Sequence, residues 1–328
     1  MTLLSESGFS SKISELDIVG LAGIGLAMAG RGTSRTLLRK MMEPKEALRK
    51  SLVEVELERI ADPLLALAEP CIGINTTPSS DDSITIGASK FGGCPDVPVG
   101  FEWPHWNDDP LSFLGQIDLS SLAGNPIAVS LPDSGLLTFF YDAEQSTWGF
   151  DPNDRGSWKV ELFDNNDLVR TDIPEAVFED ARFTACELKT FDMLSLPGWE
   201  SPEVETLKLS DDESDQYCEF DEMEAQGLGD IEGCHRLFGH PDAVQGEMKS
   251  ECQLASNGID CGGSIEVDES RLEELSAGIA DWILLLQIGS DDNLDWMWGD
   301  CGTLFFWIKK QDLEAQRFDQ VWMVLQCG

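Results

Sequence analysis

The 328-residue sequence predicts one compact α+β domain of largely antiparallel β-sheets, built by internal duplication and preceded by a helical N-terminal extension. Three observations lead to this prediction. The apolar runs after residue 83 have the length of strands, three short motifs occur twice in the same order, and the first sixty residues differ in composition from the rest. We expect the extension to cover residues 1–69 and the domain to cover residues 70–328.

The extension contains an apolar segment, a basic patch and a predicted helix. Residues 18–30 are rich in glycine and alanine, and they are too few for a membrane span, which requires about 20 residues. The basic patch consists of Arg31, Arg35, Arg39 and Lys40. A helix is predicted from Pro44 to Pro63, because leucines recur at helical spacing between two residues that favour helix boundaries. We expect no signal peptide and no transmembrane segment.

The strands of the domain are predicted from short apolar or alternating runs bounded by glycine, aspartate or charge. These runs are residues 83–86, 136–141, 158–162, 282–288, 304–308 and 321–325. Between the two halves lies an acidic connector, residues 203–232, with 12 acidic residues and one lysine. Ser210 and Glu213 have the spacing of a capping box there, so we expect a helix of about 15 residues on an exposed, solvated acidic face.

The duplication is read from three pairs of matching segments. Residues 90–100 match 236–246, residues 113–117 match 284–288, and residues 135–140 match 302–307. The first pair of segments shares a basic residue, a Pro-Asp turn and a final glycine. The second pair shares a strand that ends in Gln-Ile, and the third shares an aromatic strand that follows a glycine. Three matches in one order indicate two repeats, at about 84–141 and 236–308, each of which buries the apolar face of the other.

The charge restricts the classes of partner. The net charge is −39, and residues 61–328 hold 53 acidic and 13 basic residues. Such a field repels nucleic acid and anionic membranes, whereas it attracts a basic protein or a cation. Halophilic adaptation is an alternative explanation of the acidity. Nine cysteines in an odd, widely spaced set predict free thiols in a reducing compartment, and therefore a cytoplasmic location.

Several segments together resemble a known family. They include FGGCPDVPVGFEWP, PLSFLGQIDLSSL, LPDSGLLTFFYD, HRLFGHPDAVQGEM, DWILLLQI and MWGDCGTLFFWI, and the resemblance covers about residues 60–328. The sequence is similar to the YwqG-like family, a domain of unknown function designated DUF1963. The resemblance implies a mixed α/β fold and a soluble bacterial protein, and it implies no catalytic residue.

The candidate binding pocket is built from two Trp-Gly motifs that are each followed by aspartate. Tryptophan, aspartate and arginine together can form a polar pocket with an aromatic wall. Its residues are Trp148, Asp151, Asp154, Arg155, Trp298 and Asp300. The alternative is that the tryptophans fill the core and the aspartates cap turns.

We expect neither a cofactor nor a metal. Residues 291–302 begin like a calcium loop but have tryptophan where glycine is needed. Cys234, His235, His240, Cys252 and Cys261 are zinc-ligand types without the two tight pairs of a structural zinc site.

The predicted function is that of a non-catalytic binding or protein-interaction module for an unknown protein or small ligand, with a basic partner favoured. The alternative is a hydrolase that uses the carboxylates of Asp151, Asp154 and Asp300 for acid–base chemistry. Residues 1–60 are expected to dock on the acidic body or to mediate self-association, with interfacial membrane contact as the alternative.

Overall fold

A computed structural model of the protein describes residues 44–227, 235–263 and 267–328. Residues 44–328 form one compact unit, which has the α+β architecture predicted from the sequence. The apolar segment 18–30, the basic patch, the last residues of the acidic connector and Cys234 lie outside the described residues. Every helix within the described ranges is too short or too polar to cross a lipid bilayer.

The described part contains seven helices and fourteen strands. The helices are α1 (44–54), α2 (Glu58–Leu67), α3 (Pro202–Glu205), α4 (Asp211–Gly227), α5 (Lys249–Ser256), α6 (Glu269–Ser276) and α7 (Lys310–Glu314). The strands of the first half are β1 (Glu69–Pro78), β2 (Lys90–Phe91), β3 (Asp96–Pro98), β4 (His105–Trp106), β5 (Asp109–Pro110), β6 (Ser112–Asp118), β7 (Leu136–Tyr141), β8 (Trp158–Phe163) and β9 (Leu168–Arg170). Those of the second half are β10 (Cys186–Ser195), β11 (Arg236–Leu237), β12 (Trp282–Gly289), β13 (Thr303–Lys309) and β14 (Trp322–Gln326).

Ten of these strands form one antiparallel sheet in the order β14-β13-β12-β11-β1-β10-β2-β6-β7-β8. At its centre, β1 pairs along its whole length with β10, from Glu69 opposite Ser195 to Pro78 opposite Cys186. On either side of this pair the strand order is the same, since β11 to β14 on one flank correspond to β2, β6, β7 and β8 on the other. Strand β1, the first of the first half, therefore pairs with β11, the second strand of the second half. In the same way β10, the first strand of the second half, pairs with β2 of the first half.

The pairing registers support the duplication. Lys90 lies opposite Gln116 on β6, and Arg236 lies opposite Gln287 on β12. Both pairs are the residues matched in the sequence repeat. A β-bulge interrupts β6 between residues 113 and 115, and a second interrupts β12 between residues 284 and 286, which are the equivalent positions. Because a bulge is a specific local geometry, its presence at one site in both halves shows that they share backbone detail as well as strand order.

The main core lies between the two halves of the curved sheet. All six residues of β7 are buried, as are the first six of β13, so these strands are covered on both faces. The two end strands of the sheet approach each other, because the Trp158 ring of β8 packs against Trp322 of β14 with centroids 4.9 Å apart. The Trp158 Nε1–H donates to the Val321 carbonyl at 2.9 Å. The sheet is thereby nearly closed.

The predicted helix at 44–63 is two helices, which corrects its boundary. Helix α1 ends before Glu56, whose φ of 64° lies in the left-handed region. The Leu57 N–H donates to the Leu52 carbonyl at 2.9 Å and the Glu56 N–H donates to the Val53 carbonyl at 3.2 Å, which is the hydrogen-bond pattern of a Schellman motif. The chain enters α2 directly afterwards, and Pro63 lies inside α2 rather than after it.

The acidic connector contains α3 and α4, and the predicted capping box is present. The Glu213 N–H donates to Ser210 Oγ at 3.3 Å, and the Ser210 N–H donates to Glu213 Oε2 at 2.9 Å. The connector is less exposed than predicted, because Tyr217 and Phe220 are buried in a second core with α1 and α2. Ile60 and Leu64 of α2 are fully buried in this core.

The predicted strand at 83–86 is wrong. Residues 81–83 form a short 3-10 turn, and the chain continues through a tight turn at 85–88. Alternation over four residues is too short to distinguish a strand from consecutive turns, and the nearby glycine at 87 permits the second turn.

Candidate functional site

The structure places the two Trp-Gly motifs of the predicted pocket against the same strand. Trp148 lies between β7 and β8, and Trp298 lies between β12 and β13. The Leu325 N–H of β14 donates to the Trp148 carbonyl at 3.1 Å, and the Gly328 N–H after β14 donates to the Asp300 carbonyl at 3.1 Å. The two motifs thus lie on the end of β14 through backbone hydrogen bonds.

The aspartates of the first motif are bonded to their own loop. Asp151 Oδ1 accepts a hydrogen bond from the Asn153 N–H at 2.8 Å, as in an Asx turn. Asp154 Oδ2 accepts one from the Gly149 N–H at 2.8 Å. Burial raises the pKa of Asp154, the nearby Asp151 charge adds to that effect, and the bond from Gly149 opposes it.

The other residues of the predicted pocket have three different environments. The Arg155 guanidinium carbon lies 4.8 Å from the Trp322 ring centroid, a cation–π contact. Trp298 is 1% exposed, and its Nε1–H donates to the Gly289 carbonyl at 3.1 Å. Asp300 is exposed. Within the described residues no hydrogen bond or ion pair joins Asp300 to Asp151 or Asp154, so the shared pocket remains a prediction.

The buried His235 is held by hydrogen bonds at both ring nitrogens. The Gly289 N–H donates to Nδ1 at 3.2 Å, so Nε2 carries the hydrogen and donates to Asp291 Oδ2 at 3.1 Å. The Thr76 hydroxyl donates to the same carboxylate oxygen at 2.7 Å. Burial raises the pKa of Asp291, but the bonds from His235 and Thr76 outweigh this and leave the pKa below its ordinary value. With both nitrogens bonded, His235 has no free lone pair with which to accept a proton from a substrate.

The remaining candidate nucleophiles and metal ligands have structural contacts. His240 Nε2 bonds to the Leu67 carbonyl at 2.8 Å. Burial raises the pKa of Cys186 to about 12, which keeps this thiol protonated and weakly nucleophilic. Asp291 Oδ1 accepts from the Asn293 N–H at 2.9 Å, so the calcium-like sequence forms a turn. Across the described ranges, no three His, Cys, Asp or Glu side chains are grouped as metal ligands.

Sequence reasoning missed a polar cluster that occurs in both repeats. In the first, the Asp96 N–H donates to Gln116 Oε1 at 2.9 Å and Gln116 Nε2 donates to Asp96 Oδ2 at 2.7 Å. In the second, Gln287 makes the same two bonds with Asp242, at 2.9 and 2.8 Å. The matching Pro-Asp and Gln-Ile motifs signalled this pairing, because a glutamine on a buried strand requires a partner.

Each cluster also contains a buried cation. Lys90 is fully buried, and its Nζ donates to Asp81 Oδ1 at 2.7 Å. Burial lowers the pKa of Lys90, against the effect of Asp81 and Asp96. Arg236, the equivalent residue in the second repeat, forms an ion pair with Asp242. Both clusters stabilise the turn that follows β2 or β11.

Glu251 at the start of α5 is another residue that the sequence did not single out. Its Oε2 is buried without a hydrogen-bond partner. Burial raises its pKa to about 7, and the charge of Glu247 adds to the effect. The carboxyl group therefore titrates near neutrality, in a region that also contains Cys252 and Cys261.

Comparison with known proteins gives a family. A model described as "Domain of unknown function (DUF1963)" matches residues 89–327. The search of curated proteins finds no match.

Proposed function

The chain belongs to the DUF1963 family, and on that premise we propose that it is a non-catalytic binding module whose acidic surface recognises a basic protein partner. Within the family we propose YwqG-like character, on the motifs quoted above, and a cytoplasmic location with free thiols. The described part has free thiols at Cys71, Cys94, Cys186, Cys252, Cys261, Cys301 and Cys327.

The acidic face of α4 carries the proposal. Tyr217 and Phe220 point into the second core, so the opposite side of the helix is exposed. That side presents Asp211, Asp212, Asp215 and Glu219. In the described part none of these four side chains forms an ion pair, whereas Glu213 on the same helix is paired with Arg59. Unpaired carboxylates in a row give a local negative potential that steers a cationic partner.

The contacts of the titratable groups favour binding over catalysis. The carboxylates of Asp151 and Asp154 are bonded within their own loop, and the His235 imidazole is bonded at both nitrogens to the segment 289–291. The hydrolase alternative is supported by the raised pKa of Asp154, a property of many general acids. This alternative requires Asp151 or Asp300 to share a cleft with Asp154. The hydrogen bond from the Gly149 N–H gives the Asp154 carboxylate a structural role in its loop rather than a catalytic one.

The experiment is affinity capture followed by measurement of binding. The purified full-length chain is immobilised, a lysate of its source organism is passed over it, and captured proteins are identified by mass spectrometry. We expect a basic protein whose Kd rises at least tenfold between low and moderate salt, because surface charge attraction is screened. A partner that binds equally at both salt concentrations would contradict the proposal. Loss of every partner, together with stability that rises with salt, would favour halophilic adaptation instead.

Matched variants test the part played by α4. The triple substitution Asp211→Asn, Asp215→Asn, Glu219→Gln removes three charges from this face. The control removes three exposed charges near the start of α6, with Asp268→Asn, Glu269→Gln and Glu273→Gln. We expect the α4 variant to bind the captured partner at least tenfold more weakly than the α6 control. Equal affinities would show that the partner does not contact α4.

A further inference from the structure

The two end strands of the ten-stranded sheet meet without a main-chain ladder. Strand β8 pairs with β7 over six residues and β14 pairs with β13 over five, but within the described residues no strand pairing joins β8 to β14. The boundary between them, the seam, is crossed by the Trp158 indole, whose Nε1–H donates to the Val321 carbonyl at 2.9 Å. The Trp158 ring also packs edge to face on Trp322. Side chains rather than paired strands therefore close the sheet at the seam.

The outer edge of β14 is covered by a loop instead of a strand. This loop, the strap, comprises residues 142–157 and connects β7 to β8. The Leu325 N–H of β14 donates to the Trp148 carbonyl of the strap at 3.1 Å. Gly149 lies against the same edge, because a Cβ there would be 1.9 Å from the Met323 carbonyl oxygen. Met323 and Leu325 are two positions apart, so their main-chain groups point to the same side of β14, and that side faces the strap.

Scattered contacts, rather than a ladder, attach the strap to the second half of the chain. The other hydrogen bonds join the Trp322 Nε1–H to the Gly149 carbonyl at 2.8 Å, the Cys261 N–H to the Phe150 carbonyl at 2.9 Å, and the Gly299 N–H to Gln145 Oε1 at 3.3 Å. The cation–π contact of Arg155 with the Trp322 ring crosses the seam as well. These contacts come from four separate segments of the second half, so each can be lost without breaking a strand pairing.

The strap is held together by hydrogen bonds of its own. Asp154 Oδ2 accepts from the Gly149 N–H at 2.8 Å, and the Ser157 N–H donates to the Asp154 carbonyl at 2.9 Å. The Thr147 hydroxyl donates to Ser157 Oγ at 2.8 Å. All of these bonds are local in sequence and are retained when the strap leaves β14. A segment with local internal bonds and few long-range ones is typical of a unit that opens below the free energy of global unfolding.

We infer that the seam is a conformational device, in which the strap and β8 separate from β14 as a unit while both halves of the sheet stay folded. The movement breaks the Trp148–Leu325 and Trp158–Val321 hydrogen bonds, and it leaves the β7–β8 and β13–β14 ladders intact. The open form has a free strand edge at Met323 and Leu325, which the closed form lacks, and such an edge can pair with another strand. The inference does not depend on the acidic face of α4, so either proposal can fail without the other.

Hydrogen–deuterium exchange of the full-length chain, resolved to single amides by mass spectrometry with electron-transfer fragmentation, measures the opening. The Leu325 amide reports on the seam, and the Phe306 amide reports on the ladder because β13 lies between β12 and β14. Both residues are fully buried, so burial does not distinguish them. We expect the protection factor of Leu325 to be at least about tenfold below that of Phe306 and to change little with urea below the unfolding transition, because a local opening exposes little surface.

Equal protection factors with the same urea dependence would overturn the inference, because the seam would then open only when the whole protein unfolds. A pair of variants tests the contacts that close it. Trp158→Phe removes the donor to the Val321 carbonyl and keeps an aromatic ring. Trp282→Phe is the matched control, because the Trp282 indole is also buried and its Nε1–H donates to Gln253 Oε1 at 2.9 Å within the second half.

We expect Trp158→Phe to speed exchange of the Leu325 amide about tenfold, as the loss of one buried hydrogen bond does, and Trp282→Phe to leave that rate unchanged. Exchange of the Leu325 amide that is accelerated equally by both variants, or by neither, would show that the Trp158 contact does not hold the seam closed, and it would also overturn the inference.

Discussion

Phe139 and Phe306, which occupy the same position in the two repeats, pack edge to face in the core with ring centroids 5.2 Å apart and an interplanar angle of 68°. Phe139 belongs to β7 and Phe306 to β13, and both are fully buried. Equivalent residues that contact each other lie close to the pseudo-symmetry axis. The contact therefore shows that each repeat supplies part of the core of the other, as the duplication predicts.

The first prediction concerns this aromatic pair. Phe139→Ala and Phe306→Ala should each lower the free energy of unfolding by about 3–5 kcal/mol, because each leaves a cavity in a packed core. The double variant should lose less than the sum, by about 0.5–1.5 kcal/mol, since the second truncation removes a contact that is already absent. Urea unfolding at fixed temperature measures all three values. Strict additivity would show that the two rings are energetically independent.

The second prediction concerns the loop that carries the first Trp-Gly motif. A Cβ on Gly149 would lie 1.9 Å from the Met323 carbonyl oxygen, and the residue has a φ of 83°. Gly149→Ala should therefore cost several kcal/mol or prevent folding. Gly124→Ala is the control, because Gly124 has a similar φ of 79° but nothing within 4 Å. It should cost only about 1 kcal/mol from backbone strain. Thermal unfolding compares the two, and equal losses would exclude the clash.

The third prediction concerns pH and Glu251. Its pKa is raised to about 7 in the folded protein, above the unfolded value of about 4.3. The folded state therefore binds more protons between these pKa values, so stability falls as pH rises from about 4.5 to 7. Because the side chain is partly solvated, we expect this contribution to be about 1–2 kcal/mol. Urea unfolding of wild type and Glu251→Gln across this range should show a smaller slope for the variant, and parallel curves would contradict the assignment.

The fourth prediction concerns the buried cation of the first repeat. Lys90→Met should cost about 3–5 kcal/mol, because it leaves the carboxylate of Asp81 without its ammonium partner. Adding Asp81→Asn should recover part of the loss, because without Lys90 the Asp81 carboxylate keeps only the Arg170 guanidinium, 3.5 Å away, as a cationic partner in the described part of the chain. Lys90→Arg, which copies the residue of the second repeat, is a further comparison. Denaturant midpoints measure the set, and a double variant less stable than Lys90→Met would argue that Asp81 has another role.

Most of the strands predicted correctly from sequence have a continuous apolar character, whereas β8 was predicted from the alternation at 158–162. Residues 136–141 and 304–308 lie in β7 and β13, where every one of their side chains is buried. A continuous apolar run of this kind can be recognised from the sequence alone. The central strands β1 and β10 were missed. They contain Gly73, Pro70 and several polar residues, and their position depends on pairing between halves more than 100 residues apart. Local patterns contain no information about such pairing.

The candidate site was less predictable than the fold. An aspartate that caps a turn and one that binds a ligand have the same local sequence, so Asp151 could not be assigned in advance. The alternation at residues 83–86 predicts a strand that includes Ile86, because four residues do not distinguish alternation from a turn. The exposure of Ile86 depends on tertiary placement, as does the burial that raises the pKa of Glu251.

The exchange of first strands between the two halves has a consequence for synthesis on the ribosome. In the described part of the chain, strand β1 pairs with β10 and β11, which are made after residue 185. At typical elongation rates, the nascent chain carries β1 without its final partners for roughly 5–20 s. Strand β2, at the edge of the segment β2-β6-β7-β8, lacks its partner β10 over the same period. Unpaired edges of this kind recruit other strands, so translation speed and holding chaperones govern how much of this protein reaches its native pairing.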